Sequence, residues 1–233
     1  QDLPLEHWEY LLIDNASDTP VRDRFDLSWH PNARHLHESE LGVTPARLHA
    51  IREARGDLLI FFDDDNLPAP DYLSTARTLA AEHPHVGAFG GRLLGEFETP
   101  IPAHLAHLSS KLAVIDVHRD VQSNLYTSHT TPPGAGLVVR RAVAHAYHAK
   151  ETANTGPRLD RQGDSLLSGG DIDLAWTASD LGLLTARFTA LSLTHLIPKE
   201  RVQPAYLARL SAHIAYSGQL LHAARGLPHT LHH

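Results

Sequence analysis

The sequence predicts an α/β fold in which a mostly parallel sheet is flanked by helices. Apolar runs of strand length alternate with amphipathic helical patterns through the first half of the chain. One of these runs, residues 57–62, is almost entirely apolar, which is typical of a parallel strand covered on both faces. The 233 residues are enough for one sizeable domain with a hydrophobic core. We therefore expect a single domain of this architecture.

The chain begins with a predicted strand and a predicted helix. Residues 8–14 form an apolar run that leads into the turn-rich segment NASDTP. Residues 44–55 have the apolar spacing of a helix, with Thr44 as N-cap, Pro45 at the first helical position and Gly56 as the stop. This helix leads directly into the apolar run that follows it.

Two strands and a helix are predicted next, before an irregular region. Residues 57–62 are predicted to form a central, parallel strand, and residues 71–84 a second helix. The segment VGAFGG at residues 86–91 predicts a short strand. Between residues 92 and 133 the chain carries several prolines and no regular spacing, so an irregular region is expected.

A second ordered part follows the irregular region. Residues 134–148 predict a strand that runs into a helix. A further helix is predicted over residues 169–182, with Asp171 at its start and Gly182 at its end. Residues 203–224 predict an amphipathic helix. Its apolar stripe consists of Leu207, Leu210, Ile214 and Leu221.

The composition excludes several classes of protein. The net charge of −7 gives no basic footprint for nucleic acid, and no apolar run is long enough to cross a bilayer. Cysteine is absent, which excludes disulfides and thiolate metal sites and favours a cytoplasmic location. The 19 histidines are scattered, so no multi-histidine metal site is expected. Methionine is also absent, and the chain is therefore expected to be a fragment or a trimmed product.

Acidic residues stand at the carboxyl ends of two predicted strands. Asp14 closes the first apolar run, and Asp63 follows the run at residues 57–62. Since the carboxyl ends of parallel strands meet at one edge of a sheet, we expect both near one ligand site. Asp65 points to the same side as Asp63 in an extended segment, whereas Asp64 points away. Such carboxylates suit Mg²⁺ or Mn²⁺, although a solvated turn of this composition is an equally open alternative.

Five segments of the chain resemble the family 2 nucleotide-sugar glycosyltransferases, which have the Rossmann-like GT-A fold. In chain order they are EYLLIDNASDTP, ARLHAIREARGDLLIFFDDDNLPAPDYL, PPGAGLVVRR, GGDIDLAWTASDLGL and THLIPKERV. The resemblance extends over residues 8–210 and implies one domain over residues 1–233. Residues 1–91 would form the nucleotide-binding half, residues 92–203 an irregular acceptor and catalytic half, and residues 204–233 a C-terminal helix.

The resemblance implies that five residues bind the sugar donor. Asp14 matches the aspartate that hydrogen-bonds the nucleotide base, and Asn15 lies beside it. Asp63 matches the first acid of the family's DXD motif and would face the ribose and the ion, and Asp64 lies inside the same motif. Arg47, on the helix before the motif, would face the phosphates. A solvated helix residue is the open alternative for Arg47.

Three further residues are implied in metal binding and catalysis. Asp65 matches the direct metal ligand of the DXD motif, and Asp63, Asp65 and His195 form the candidate site for Mn²⁺ or Mg²⁺. Asp171 matches the acid that acts as catalytic base. An ordinary hydrogen-bonded histidine remains an alternative for His195, and a helix N-cap remains one for Asp171.

The reaction implied by the resemblance is a single in-line displacement with inversion. A divalent ion and nearby cations would stabilise the diphosphate leaving group, and a carboxylate would take the proton of the attacking hydroxyl. The donor would be a nucleoside-diphosphate sugar, and the acceptor a glycan, a lipid-linked carbohydrate or a protein. Two alternatives stay open: a nucleotidyltransferase of similar architecture, and a truncated domain that binds a nucleotide without catalysis.

The chain departs from the family's pattern in two places. Family members open with a strand, turn and helix that read like VSVIIPTYN, and this unit is expected to be missing before QDLPLEHWEYLL. Gly170 stands where relatives often carry an acid beside the base. The 17 arginines against 3 lysines point to a GC-rich bacterial genome, so we expect a bacterial enzyme of polysaccharide biosynthesis. We expect it in the cytoplasm, with peripheral association at the cytoplasmic face of the membrane as an alternative, and without a nucleic-acid partner.

Overall fold

A six-stranded mixed sheet and a two-stranded parallel sheet contain the strands of the described chain. The computed structural model describes residues 1–154 and 166–228. The strands are β1 (Tyr10–Asn15), β2 (Ala33–Glu38), β3 (Leu58–Phe61), β4 (Asn66–Pro68), β5 (Val86–Phe97), β6 (Val121–Ser123), β7 (Leu137–Arg140) and β8 (Leu184–Ile197). The α-helices are α1 (Val43–Glu53), α2 (Tyr72–Glu82), α3 (Arg141–Ala153), α4 (Gly170–Asp180) and α5 (Pro204–Ala224). Short 3-10 segments occur at Leu5–His7, Val21–Asp23, Ala103–Leu112 and Lys199–Val202.

The large sheet has β3 at one edge and β4 at the other. Its strand order is β3-β7-β5-β8-β4, with β6 paired to β8. The β5–β8 pair is parallel, and the other pairs of this sheet are antiparallel. The α/β class is confirmed. The prediction of a central, parallel strand at residues 57–62 is wrong, because β3 is an edge strand that runs antiparallel to β7.

Both faces of β3 are packed in spite of its edge position. Leu59 and Phe61 pack into a core cluster with α1, α3 and α4, whereas Leu58 and Ile60 pack against a second cluster that includes α2. The two-sided burial expected for this run is therefore correct. Burial reveals how many faces are covered, but it does not determine which strand lies alongside, and the partner of β3 follows only after a long intervening segment.

Side chains connect the small sheet to the segment that leads into β3. In the described chain β1 pairs with β2, and β3 pairs with β7, so the two sheets share no ladder. Glu9 Oε1, just before β1, accepts hydrogen bonds from the backbone N–H groups of Arg55 and Gly56. Arg34 in β2 adds ion pairs to Glu9 and Glu53, each at 3.2 Å. The starts of β1 and β3 are thus held together without strand pairing.

Two helices are capped by residues other than those that the sequence suggests. Gly42 caps α1 with a φ of 136°, and Thr44 lies buried inside the first turn and is not the N-cap. Gly169 caps α4 with the same φ of 136°, so Asp171 lies in the first turn and is not the N-cap. Both caps are glycines because a residue with a side chain is strained at this φ.

The longest strand, β8, is not predicted from the sequence. It pairs with β4, β5 and β6, and its partner β5 continues to Phe97, into the region expected to be irregular. Leu191, Leu193, His195 and Ile197 of β8 are buried, while Ser192, Thr194 and Leu196 between them are partly open. This alternation, with serine and threonine on the outer face, is the signal that could have revealed the strand.

The helices predicted at residues 71–84 and 203–224 are confirmed as α2 and α5, with small differences at their ends. The strand and helix predicted over residues 134–148 are confirmed as β7 and α3. The last five residues of the predicted C-terminal segment, 229–233, lie outside the described residues. None of the helices in the described part combines the length and hydropathy that crossing a bilayer requires.

Gly91 lies where β5 passes close to the backbone of β8. A Cβ atom at this position would lie 2.2 Å from the carbonyl oxygen of Leu191, so we expect Gly91→Ala to destabilise the fold by about 2 kcal/mol. Gly218→Ala in α5 is the control. Nothing lies within 4 Å of its Cβ position, and helix propensity should stabilise this variant by about 1 kcal/mol. Urea unfolding measures both free energies, and equal values for the two variants would contradict this close approach.

Candidate functional site

A tight turn after β3 fixes two acidic side chains. The backbone N–H of Asp63 donates to the side-chain oxygen of Asn66 at 3.0 Å, and the backbone N–H of Asn66 donates to the carbonyl of Asp63 at 3.1 Å. The Asn66 amide nitrogen also donates to Asp65 Oδ1 at 2.9 Å. Asn66 is buried and orients both acids. Sequence reasoning misses this role, although the turn composition of DDDN is a signal for it.

The pairing of β4 with β8 brings His195 and Arg201 to Asp65. Asn66 is the register partner of His195, whose Nε2 lies 3.3 Å from Asp65 Oδ2. Arg201 Nη1 lies 3.0 Å from the same oxygen. Burial by itself would raise the pKa of Asp65, but the hydrogen bonds and charges of His195 and Arg201 outweigh it and lower this pKa. Arg201 lies in the segment THLIPKERV and is not among the site residues that the sequence predicts.

Asp63 lies near Asp65 of its own turn and near Asp171 of α4. Half of its side-chain surface reaches solvent, yet protein atoms surround the carboxyl group. Desolvation raises its pKa, Arg47 at 4.0 Å lowers it, and the charges of Asp65 and Asp171 raise it, so that the pKa lies above its ordinary value. Asp64, in contrast, is exposed in the turn. The structure thus brings Asp63, Asp65, Asp171 and Arg47 together, whereas Asp14 lies on a strand of the other sheet.

The segment before β7 holds Asp171. The Oδ2 atom of Asp171 accepts a hydrogen bond from the backbone N–H of Gly134 at 2.8 Å. A Cβ atom on Gly134 would lie 2.5 Å from Arg47 Nη2 and 3.1 Å from Asp171 Oδ2. The glycine therefore lets the guanidinium and the carboxylate approach the same point. With a side chain only 11% exposed, Arg47 is an internal cation of the site and not a solvated helix residue.

Asp14 and Asn15 bond to their own loop and to the entry of α1. Asp14 is buried, and its two carboxyl oxygens accept the backbone N–H groups of Ser17 and Val21, each at 3.0 Å. These bonds lower the pKa of Asp14 to about 2. Asn15 donates to carbonyl groups of the segment before α1 and accepts the N–H of Gly42. Both side chains therefore shape this loop, and none of these bonds reaches the acids after β3.

A buried ion-pair network holds the helix that carries Asp171. Asp173, in the same first turn of α4, is buried and bonds to Lys150 Nζ from α3 and to Arg225 Nε at 2.7 Å. Arg225, just after α5, also bonds to Asp180 at 2.8 Å and to the carbonyl of Asp173 at 3.0 Å. Because removing one member of a buried pair leaves an uncompensated charge, this network fixes the start of α4.

The site offers donors for a divalent ion, although the described residues contain no group of three metal-ligating side chains already in place. The Asp65 carboxylate and the His195 imidazole lie next to each other and combine oxygen and nitrogen donors that suit Mn²⁺. Asp63 supplies a further carboxylate nearby. In the structure, the positive charge beside Asp65 is that of Arg201. The chemistry of the donor set therefore fits a divalent ion.

The comparisons with known proteins show the family and the fold. A family model described as "Glycosyl transferase family 2" matches residues 1–146. The mannosyltransferase PcManGT from Pyrobaculum calidifontis, solved with GDP-Man and Mn²⁺, has 20% identity and a TM-score of 0.59, over 97% of this chain and 57% of that chain. No curated protein sequence matches the chain significantly.

Two further solved structures have the same fold. TarS 1-349 of S. aureus in complex with UDP-GlcNAc has 14% identity and a TM-score of 0.56, over 96% of this chain and 59% of that chain. GalNAc-T7 with UDP, GalNAc and Mn²⁺ has 12% identity and a TM-score of 0.57, over 97% of this chain and 46% of that chain. The chain thus spans about half of the length of the solved proteins that it matches.

Asp14 anchors its loop as a carboxylate, so its contribution to stability depends on pH. Because its pKa is lowered to about 2 in the folded chain, the stabilisation is present above the ordinary pKa of about 4 and is lost as the pH falls toward 2. We expect Asp14→Ala to lower the Tm at neutral pH and the gap to the wild type to close in acid. Circular dichroism melts across this range measure the gap. A gap that does not change with pH would contradict the anchoring role.

Proposed function

Since the chain belongs to glycosyl transferase family 2 and has the GT-A fold, we propose that it transfers a sugar from a nucleoside-diphosphate sugar to an acceptor hydroxyl. The transfer would need a divalent ion and would invert the anomeric configuration. The observation that carries the proposal is that the charges of Asp65, Asp171 and Arg47 all act on the carboxylate of Asp63. These residues come from three separate segments and meet beside the end of β3.

The structural neighbours support the class of donor. The TarS structure contains UDP-GlcNAc, the PcManGT structure contains GDP-Man and Mn²⁺, and the GalNAc-T7 structure contains UDP and Mn²⁺. We propose that this chain likewise binds a nucleoside-diphosphate sugar together with Mn²⁺ or Mg²⁺. Base and sugar differ among the three neighbours, so the proposal names the class of donor and not one compound.

Asp63, Asp65 and His195 are the side chains that would hold the ion. When bound, the ion would offset the negative charge of the diphosphate leaving group. Asp65 and His195 are already adjacent at 3.3 Å. Arg47 and Arg201 are the cations beside these acids, and their planar guanidinium groups match diphosphate oxygens in shape and charge.

Asp171 is the proposed catalytic base. The N–H of Gly134 occupies one of its oxygens, Oδ2, and so orients the carboxylate while the other oxygen remains able to take a proton. The acceptor hydroxyl that loses this proton attacks the anomeric carbon from the face opposite the diphosphate. The bond from the anomeric carbon to the phosphate oxygen breaks with its electron pair leaving on the diphosphate, which inverts the configuration.

Asp14, Asn15 and Asp64 remain proposed contributors to donor binding. Asp14 and Asn15 would act by shaping the loop after β1, because their bonds fix this loop and the entry of α1.

We propose a carbohydrate or lipid-linked acceptor, a cytoplasmic location and a bacterial role in polysaccharide synthesis. Since the chain spans about half of the neighbours' length, activity of this chain alone is part of the proposal. The family match favours sugar transfer over nucleotidyl transfer.

Binding of the donor through the proposed ion should depend on Asp65. We expect UDP or GDP to raise the Tm of the wild type more with Mn²⁺ than with EDTA, and Asp65→Asn to remove this difference. Asp71→Asn is the control, since Asp71 is an exposed acid at the start of α2. Scanning fluorimetry with each diphosphate measures the shifts. An Mn²⁺-dependent shift that persists in Asp65→Asn would rule out the proposed ligand.

Replacing the proposed base should separate binding from transfer. In Asp171→Asn the amide oxygen still accepts the N–H of Gly134, so we expect the donor affinity to be retained. The amide cannot take a proton, so we expect the transfer rate to fall by about a hundredfold to ten-thousandfold. Calorimetry gives the affinity, and release of nucleoside diphosphate in the presence of acceptor gives the rate. Transfer at the wild-type rate would exclude Asp171 as the base.

A further inference from the structure

The guanidinium of Arg201 contacts both side chains that would share the metal ion. Arg201 Nη1 lies 3.0 Å from Asp65 Oδ2 and 3.4 Å from His195 Nε2, and these two atoms lie 3.3 Å apart. The three atoms form a nearly equilateral triangle. A divalent ion held by Asp65 and His195 would use the same lone pairs that face Arg201 in this structure.

Neither tautomer of His195 can form favourable hydrogen bonds to both Asp65 and Arg201. If Nε2 carries a proton, it donates to Asp65 but faces an N–H group of Arg201. If Nε2 is unprotonated, it accepts from Arg201 but faces the carboxylate oxygen of Asp65. The other ring nitrogen, Nδ1, is buried and has no hydrogen-bond partner among the described residues. Each tautomer thus leaves one unfavourable contact. Departure of Arg201 would leave the tautomer that is protonated at Nε2 with its hydrogen bond to Asp65 and without an unfavourable contact.

The side chain of Arg201 reaches the site from a fixed backbone. The adjacent Val202 is buried in the core cluster beneath α5, which holds this 3-10 segment in place. The Arg201 side chain itself is long and 31% exposed. Its guanidinium can therefore leave Asp65 by rotation about side-chain bonds, while the backbone of the segment stays packed.

We propose that Arg201 is an internal counter-ion that occupies the metal site of the metal-free protein and is exchanged for the divalent ion when the donor binds. This inference rests on the proposed function. The displaced guanidinium stays close to the site, because the backbone of Arg201 does not move. There it pairs with an oxygen of the donor's diphosphate in place of the Asp65 oxygen. Ion and donor then strengthen each other's binding, because the donor stabilises the displaced arginine.

Replacement of Arg201 distinguishes this exchange from a simple phosphate contact. We expect Arg201→Gln to bind Mn²⁺ alone about three- to fivefold more tightly than the wild type, because the competing ion pair is gone. With Mn²⁺ saturating, the same variant should bind UDP or GDP about tenfold more weakly, because the displaced cation is missing. Electron paramagnetic resonance of free Mn²⁺ measures the first affinity and calorimetry the second. An ordinary phosphate-binding arginine would change only the second.

Lys199→Met is the matched control. Lys199 is a cation of the same 3-10 segment, its side chain is 59% exposed, and its Nζ lies 4.0 Å from Glu98 and not at Asp65. We expect this variant to bind Mn²⁺ and diphosphate as the wild type does. A gain in Mn²⁺ affinity equal to that of Arg201→Gln would show that local charge alone, and not exchange at Asp65, causes the effect, and would overturn the inference.

The remaining outcomes separate the exchange from the proposed function. Equal or weaker Mn²⁺ affinity in Arg201→Gln, with Mn²⁺-dependent donor binding in the wild type, would overturn the exchange and leave the proposed function intact. Donor binding to the wild type that is independent of Mn²⁺ and lost in Arg201→Gln would show that the arginine replaces the ion permanently, which also overturns it. Failure of both proteins to bind either Mn²⁺ or a nucleoside diphosphate would overturn the proposed function together with the inference.

Discussion

Repulsion among three carboxylates is the constraint around which the site is arranged. Asp63, Asp65 and Asp171 come from two separate segments, and gathering them costs free energy unless positive charge lies among them. Arg47 supplies this charge beside Asp63 and near Asp171, and Arg201 supplies it beside Asp65. Burial, together with the charges of Asp65 and Asp171, nevertheless raises the pKa of Asp63, whereas the pKa of Asp65 is lowered. Added positive charge beside Asp63 would favour its ionised form.

Two independent supports hold the two sides of the site. Strand β8 pairs with β4 directly after the acidic turn, and this register places His195 opposite Asn66 and carries the chain on to Arg201. On the other side, α4 is fixed by the ion pairs of Asp173, and Asp171 by the N–H of Gly134. The proposed metal side and the proposed base side are thus built from different elements, and Arg47 lies beside Asp63 at 4.0 Å and near Gly134.

Local features of this chain are predictable from sequence, and contacts between distant segments are not. The acidic turn, the packed run before it and the helices α2 and α5 follow from spacing and turn chemistry, and the likeness to a known family locates Asp171 and His195. The edge position of β3 does not follow, because two-sided burial is compatible with several strand orders. The roles of Asn66 and Arg201 cannot be identified from the sequence for a related reason: they depend on contacts between distant segments. An asparagine in a turn and an arginine after a strand are common, and only their partners make these two distinctive.

The bonds of Arg225 to Asp173 and Asp180 have a consequence for how the chain matures on the ribosome. Lys150 and Asp173 both precede Arg225 in the chain, so both members of this ion pair leave the ribosome before Arg225 does. The second cation, Arg225, follows Asp173 by 52 residues and joins the pair later in synthesis. Translation intermediates therefore contain every acid of the site before they can lock the geometry that uses them.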